Sequence, residues 1–190
     1  MSKNYTVIIQ HGTGGKPDEN WFPWLAQKLK ELNVNVFVPK LPTPEGQDFS
    51  SWVEEFKRIT PDLDENTILI GHSLAPAFLI RYVAQQESCV RATFFVAAFM
   101  DLLGLEDFDK LNHSFVSGDL DWKSTAKKIG KCRVYNSDND PYVPISMGKS
   151  VAEKLGADFT TISNGGHINT SSGYDKFEKL LEDIRQELGI

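Results

Sequence analysis

The chain is poor in the residues that build metal centres and cross-links. It has 190 residues, of which two are cysteine, Cys89 and Cys132, and four are histidine. Neither cysteine stands in a CxxC or Cys/His ligand spacing, so the sequence offers no zinc site and no disulfide framework. Two buried or half-buried thiols in a reducing compartment are the expectation. Long apolar runs are missing as well. The opening MSKNYTVIIQHG carries one lysine and an apolar stretch too short for a secretory leader, and no segment approaches the roughly 18 apolar residues of a membrane span. A cytoplasmic chain without membrane attachment is predicted. Positive charge is also scarce, with 20 Lys and Arg against 26 Asp and Glu, a net charge of -6. That balance disfavours nucleic-acid binding, which needs a basic face. There is no GxGxxG leading into a helix and no Walker GxxxxGK[ST], so the glycines do not announce a nucleotide site. Repeats, low-complexity tracts and linker composition are absent, and residues 1–190 read as one domain.

What is present is a regular alternation of strands and helices. Apolar, β-rich runs occur at Tyr5–Gln10, in VNVFVP, at Thr67–Ile70, in RATFFVAAF, at Cys132–Asn136 and at Asp158–Ser163. Between them lie helical patterns: from Asp18 or Asn20 to Leu32, across DFSSWVEEFKRI, from Leu74 to Gln86, in a short piece near LEDFDKL, in DWKSTAKKI and from Ile145 to Leu155. A last helix is expected over Tyr174–Leu188. Strands that are apolar throughout, rather than alternating, are those of a parallel sheet covered on both faces. The predicted fold class is therefore α/β, with about six parallel strands and helices on both sides.

In such a sheet, chemistry gathers beyond the carboxyl ends of the strands. The residues there are informative. Gly71-His72-Ser73-Leu74-Ala75 follows the third strand, SDNDPYVP follows the fifth and NGGHIN follows the sixth. A serine, an acidic pair and a histidine thus share one rim in the chain order Ser, Asp, His. This order and the strand–Ser–helix context are those of the α/β-hydrolase nucleophile elbow, G-x-S-x-G, with Ala75 in place of the last glycine. A serine on that turn projects its hydroxyl outward, and the following helix aims its amides at developing negative charge. His167 is the candidate base. DNDPYVP resembles the acid loop of α/β-hydrolases, and on that alignment Asp140, with two residues between it and Val143-Pro144, is the candidate acid that orients His167, while Asp138 competes for that role. The oxyanion donors predicted are the amide of Leu74 and one from the loop HGTGG, with Thr13 first and Gly12 second. His11 is read as shaping that loop, His72 as packing beside the elbow and His113 as solvated.

Taken together, HGTGG, the Trp21/Trp24 segment, GHSLA, DLDWKSTAKKI, NSDNDPYVP and GGHIN resemble the compact serine hydrolases grouped with retinoblastoma-binding protein 9 and its small bacterial relatives. The resemblance covers nearly the whole chain. It implies a minimal α/β-hydrolase fold without the first two strands of longer enzymes, a Ser73–Asp140–His167 triad and little or no lid. It also implies that no metal or organic cofactor is needed. Ala75 and Leu74 depart from the relatives' elbow.

The resulting expectation is a hydrolase acting on small or medium acyl or aryl esters, thioesters or activated amides, with a small-molecule acyl substrate as partner. Trp21, Phe22, Trp24 and Phe49 are candidates for an acyl pocket, and Phe99 and Met100, with Leu102 and Leu103, for an apolar wall. The competing expectation is a binding module that keeps the hydrolase fold, since the named relative associates with a protein partner. The complete triad weighs against it.

Overall fold

The computed structural model describes residues 5–190. The first four residues, which open the segment read above for a leader, lie outside that range. Six strands form one sheet in the order β2-β1-β3-β4-β5-β6. These are β1 (Thr6–Gln10), β2 (Asn35–Phe37), β3 (Thr67–His72), β4 (Ala92–Val96), β5 (Lys131–Ser137) and β6 (Asp158–Ile162). Every neighbouring pair is parallel, with Thr6 beside Thr67 and Ile68 beside Ala92. Seven α-helices connect and cover the strands: α1 (Phe22–Glu31), α2 (Phe49–Ile59), α3 (Ala75–Ala84), α4 (Glu106–Val116), α5 (Trp122–Lys128), α6 (Ile145–Leu155) and α7 (Glu178–Leu188).

The side-chain period of two along a strand sends alternate residues to opposite faces. Ile8, Leu69, Phe95 and Val134 join one apolar cluster with Trp52, Phe56, Phe78 and Phe115 from α2, α3 and α4. Val7, Ile9, Ile68, Ile70 and Tyr135 join the other, with Leu25 and Leu29 of α1 and Leu180 and Ile184 of α7. Both faces are covered, which is why the central strands are apolar without alternation.

Two helices differ from the sequence expectation. The short helix near LEDFDKL runs three turns, and the last helix begins only at Glu178, because the backbone before it is non-helical, with Phe177 at φ -135° and ψ 77°. The thiols also differ from expectation. Cys132 is buried, and burial pushes its pKa up to about 12, whereas Cys89 is exposed. No helix among the described residues is long and apolar enough to cross a membrane.

The carboxyl ends of β4 and β5 are locked by one side chain. The buried Asn136 accepts from the Ala98 amide at 3.1 Å and donates to the Ala98 carbonyl at 3.2 Å. Gly148 of α6 packs directly on it, and a Cβ there would overlap the Asn136 carboxamide. Gly148→Ala should therefore destabilise the fold by about 1–3 kcal/mol, the usual cost of overpacking. Urea unfolding measures this, and an unchanged midpoint would show that Asn136 yields at no cost.

Candidate active site

The chain leaves β3 and enters α3 through a single strained residue. Ser73 has φ 63°, a left-handed conformation that a non-glycine residue adopts at a cost of about 1–3 kcal/mol. Its amide donates to the Val96 carbonyl at 2.9 Å, so the end of β4 holds the turn. Gly71 is required because a Cβ there would lie 2.9 Å from Pro76 N and 3.1 Å from the Ala75 carbonyl carbon. The start of α3 presses on the strand at that point. Ala75, where the elbow pattern has its second glycine, is fully buried and accommodated. Pro76 costs nothing, since the first helical turn has no intrahelical acceptor for its missing N–H.

The tight turn leaves the Ser73 hydroxyl facing His167, whose Nε2 lies 3.1 Å from Ser73 Oγ. The other ring nitrogen, Nδ1, lies 2.8 Å from Asp140 Oδ2. A carboxylate only accepts, so Nδ1 carries the hydrogen and Nε2 is free to accept from the serine. Asp140 is fixed in turn, its Oδ1 accepting from the amides of Tyr142 (2.9 Å) and Val143 (3.1 Å), and its side chain is fully buried. Asp138 does something else: it is exposed and accepts from the Asn164 amide at 2.7 Å, bracing the loop that carries His167. The structure thus brings Ser73, His167 and Asp140 into one hydrogen-bonded line and leaves Asp138 outside it.

Two buried groups hold the backbone at His167 and Ile168 from below. His72 Nε2 donates to the His167 carbonyl at 2.9 Å, and Trp21 Nε1 donates to the Ile168 carbonyl at 3.0 Å. Burial, reinforced by the charge that His167 would carry, lowers the His72 pKa from 6.5 to about 3. His11 is also shifted down, mainly by burial. The His72 ring stays neutral in the fold down to about pH 3, but in the unfolded chain it protonates near pH 6.5. Between about pH 3 and 6.5 the unfolded state therefore binds more protons, and stability is lost as pH falls through that window. For His72 the loss approaches on the order of 4 kcal/mol at the acid end. Urea unfolding at pH 7, 5.5 and 4 should show it, with a shallower decline in His72→Gln; equal slopes would remove His72 as the cause.

The glycine loop after β1 sits against the elbow. A Cβ on Gly12 would come within 2.8 Å of Ser73 Cβ and 2.9 Å of Leu74 N. Among the described residues, neither the Leu74 nor the Thr13 amide donates to a protein acceptor. Ser73 lies between two depressions. One, of about 160 Å³, is lined by His11, Gly12, Gly15, Glu19, Asn20 and Phe22. The other, of about 190 Å³, is lined by Leu103, Phe108, Asn112 and Tyr142. Thr13, His167 and Asn169 border both.

Most of the predicted pocket residues are placed elsewhere. Trp21 is fully buried, held by its hydrogen bond to Ile168, and packs edge-on against Phe22 and His72. Phe99 is in the core at 1% exposure, because the chain turns inward after β4. Met100 borders a separate depression with Asp101, Ser146 and Lys154. Only Phe22, at one floor, and Leu103 reach the Ser73 cleft. Two further aromatics, Phe108 and Tyr142, line it without a signal in the sequence. Phe108 lies in a helix expected to be short, and Tyr142 in a loop read for its acid. His113 is exposed.

Known proteins resemble this chain over most of its length. The serine hydrolase family matches residues 7–186. YdeN of Bacillus subtilis (strain 168) is 26% identical over 171 residues, covering 88% of each chain. Serine hydrolase RBBP9 of Rattus norvegicus is 23% identical over 183 residues, covering 96% of this chain and 94% of its own. The crystal structure of the B. subtilis ydeN gene product superposes with a TM-score of 0.90 at 23% identity, over 98% of this chain and 100% of that one. Est1E from Butyrivibrio proteoclasticus shares the fold at a TM-score of 0.71 and 16% identity, over 100% and 90%. With the family match running from within β1 to within α7 and including the Ser73 turn between β3 and α3, the chain belongs to the serine hydrolase family.

Proposed function

We propose that the protein is a serine esterase working through an acyl-enzyme, with Ser73 as nucleophile, His167 as base and then acid, and Asp140 as the group that orients His167. The observation that carries this reading is the continuous line from Ser73 Oγ to His167 Nε2 at 3.1 Å and from Nδ1 to Asp140 at 2.8 Å. Ser73 Oγ attacks the ester carbonyl carbon while its proton passes to His167 Nε2. The carbonyl oxygen takes the negative charge and meets the amides of Leu74 and Thr13. The tetrahedral intermediate expels the alcohol, which receives the proton from His167. Water then repeats the sequence on the acyl-serine, releasing the acid and restoring the serine hydroxyl. Asp140 holds the His167 ring and stabilises the imidazolium as it forms.

The substrate reading follows from the cleft. The depression of about 190 Å³ admits a small or medium acyl or aryl group. At its mouth the half-exposed rings of Phe108 and Tyr142 stand 5.8 Å apart, and Tyr142 is 5.1 Å from His167. Such rings favour apolar and flat groups. The test is labelling with a fluorophosphonate probe, followed by a panel of p-nitrophenyl esters of increasing chain length. Modification at Ser73 with turnover of short esters supports the reading. A folded protein that takes no label would end it and favour a binding role for the same fold.

A further inference from the structure

An oxyanion site works only if its donors are aimed before the charge develops. The Leu74 amide is aimed by the elbow itself. The Thr13 amide belongs to a loop, with the buried Gly12 before it and the exposed Gly14 after it, and a loop needs something to hold it. The structure shows two independent restraints. The first acts on the peptide plane. The Gly12 carbonyl accepts from His11 Nδ1 at 2.9 Å and from Gly15 N at 3.1 Å. In a trans peptide the C=O and the following N–H point in opposite directions, so gripping that oxygen turns the Thr13 N–H the other way.

The second restraint acts on the Thr13 side chain and comes from residues outside the triad. Thr13 Oγ1 donates to Asn112 Oδ1 at 2.6 Å and accepts from Gln47 Nε2 at 3.0 Å. Gln47 Nε2 also reaches Asn112 Oδ1 (3.1 Å) and the Leu111 carbonyl (3.1 Å). Its Oε1 accepts from Thr43 Oγ1 at 2.6 Å, and that hydroxyl accepts from the Gly14 amide, again at 2.6 Å. The donors run in one consistent direction, from Gly14 N–H through Thr43 and Gln47 to Thr13 and Asn112, with the two hydrogens of Gln47 Nε2 shared among three acceptors. The Thr13 hydroxyl is thereby engaged as both donor and acceptor. Its side chain is committed to the protein, which leaves the backbone amide for the substrate.

We propose that Gln47 and Asn112 are positioning residues that fix the Thr13 amide toward Ser73, so that helix α4 and the 40–48 loop together set the oxyanion site. This rests on the acyl-enzyme reading above. Losing a donor outright costs about 10²–10³ in kcat, so releasing one from its restraint should cost less, roughly tenfold. Thr13→Val deletes the hydroxyl but keeps the amide, and Gln47→Met deletes the donor at similar volume. Each should lower kcat on p-nitrophenyl acetate by about tenfold with KM nearly unchanged, because the contact exists only with the developing charge. The double variant should be no slower than either single one, since both act through one group. Thr13→Ser should restore the rate. If Gln47→Met does not fold, Gln47→Glu replaces it, keeping the acceptor for Thr43 and removing the donors to Thr13 and Asn112. Wild-type rates in Thr13→Val and Gln47→Met, or additive losses accompanied by a higher KM, would overturn the positioning role. An unlabelled wild-type protein would instead remove the acyl-enzyme reading, and the inference with it.

Discussion

Replacing Ser73 or His167 by alanine should abolish fluorophosphonate labelling and lower kcat for a short p-nitrophenyl ester by about 10³–10⁴ or more. The double variant should be no worse than the worse single one, because the two groups act as a unit. Removing the hydroxyl takes away the nucleophile. Removing the ring leaves a neutral hydroxyl that reacts poorly, since a serine is a weak nucleophile without its base. Asp140→Asn should also be severe, for a specific reason. Asp140 accepts from His167 Nδ1 at 2.8 Å, and an amide there can present a donor, turning His167 into the tautomer whose Nε2 no longer accepts from Ser73. Asp138→Asn is the matched control. Its bond to the Asn164 amide survives with a carboxamide oxygen, so activity should stay within about twofold and only stability should move, by less than about 1 kcal/mol. Equal losses in the two Asp variants would contradict the geometry.

A second large effect is expected from a single methyl group. Gly12→Ala places a Cβ 2.8 Å from Ser73 Cβ, 2.9 Å from the His72 carbonyl oxygen and 2.9 Å from the Leu74 amide nitrogen. The last two are backbone atoms of the elbow, and none of the three can swing aside as the end of a long side chain would. The elbow is itself fixed, since the Ser73 amide is tied to Val96 and β3 lies mid-sheet. Relief must come from the HGTGG loop, which carries the Thr13 amide away from the Leu74 amide. The expected result is a fall in kcat of about 10² or more, comparable to losing an oxyanion donor. The thermal midpoint should fall only modestly, because the loop is at the surface of the sheet's rim. Measured kcat and melting temperature together decide the matter. A rate within a few-fold of wild type would mean that the loop amide plays no part in stabilising the oxyanion.

Much of this was legible from residue order. Strand and helix periods are local properties, and burial on two faces leaves its mark as continuous apolar strands, so the parallel α/β sheet could be read directly. The Ser, Asp and His positions were also legible, because a parallel sheet sends all its carboxyl ends to one rim and the chain order then names the loops that meet there. Distances and directions were not. The step to Val143-Pro144 favours Asp140 over Asp138 without excluding either; the turn that gives Asp140 the amides of Tyr142 and Val143 and points it at His167 separates them. Trp21 reads as a pocket residue because it is large, apolar and near the rim, yet its indole N–H found the Ile168 carbonyl and its ring went under the histidine loop. Gln47, in a stretch without periodicity, and Asn112, inside a helix, are joined to Thr13 across 34 and 99 residues of chain. Hydrogen bonds of that range leave no periodic trace, because they depend on where loops are carried by the sheet beneath them. The sequence by itself determined the sheet, its rim and the kinds of side chain that meet there. The tertiary structure alone decided which of them touch, since contact requires the strands to be in register before any side chain can reach its partner.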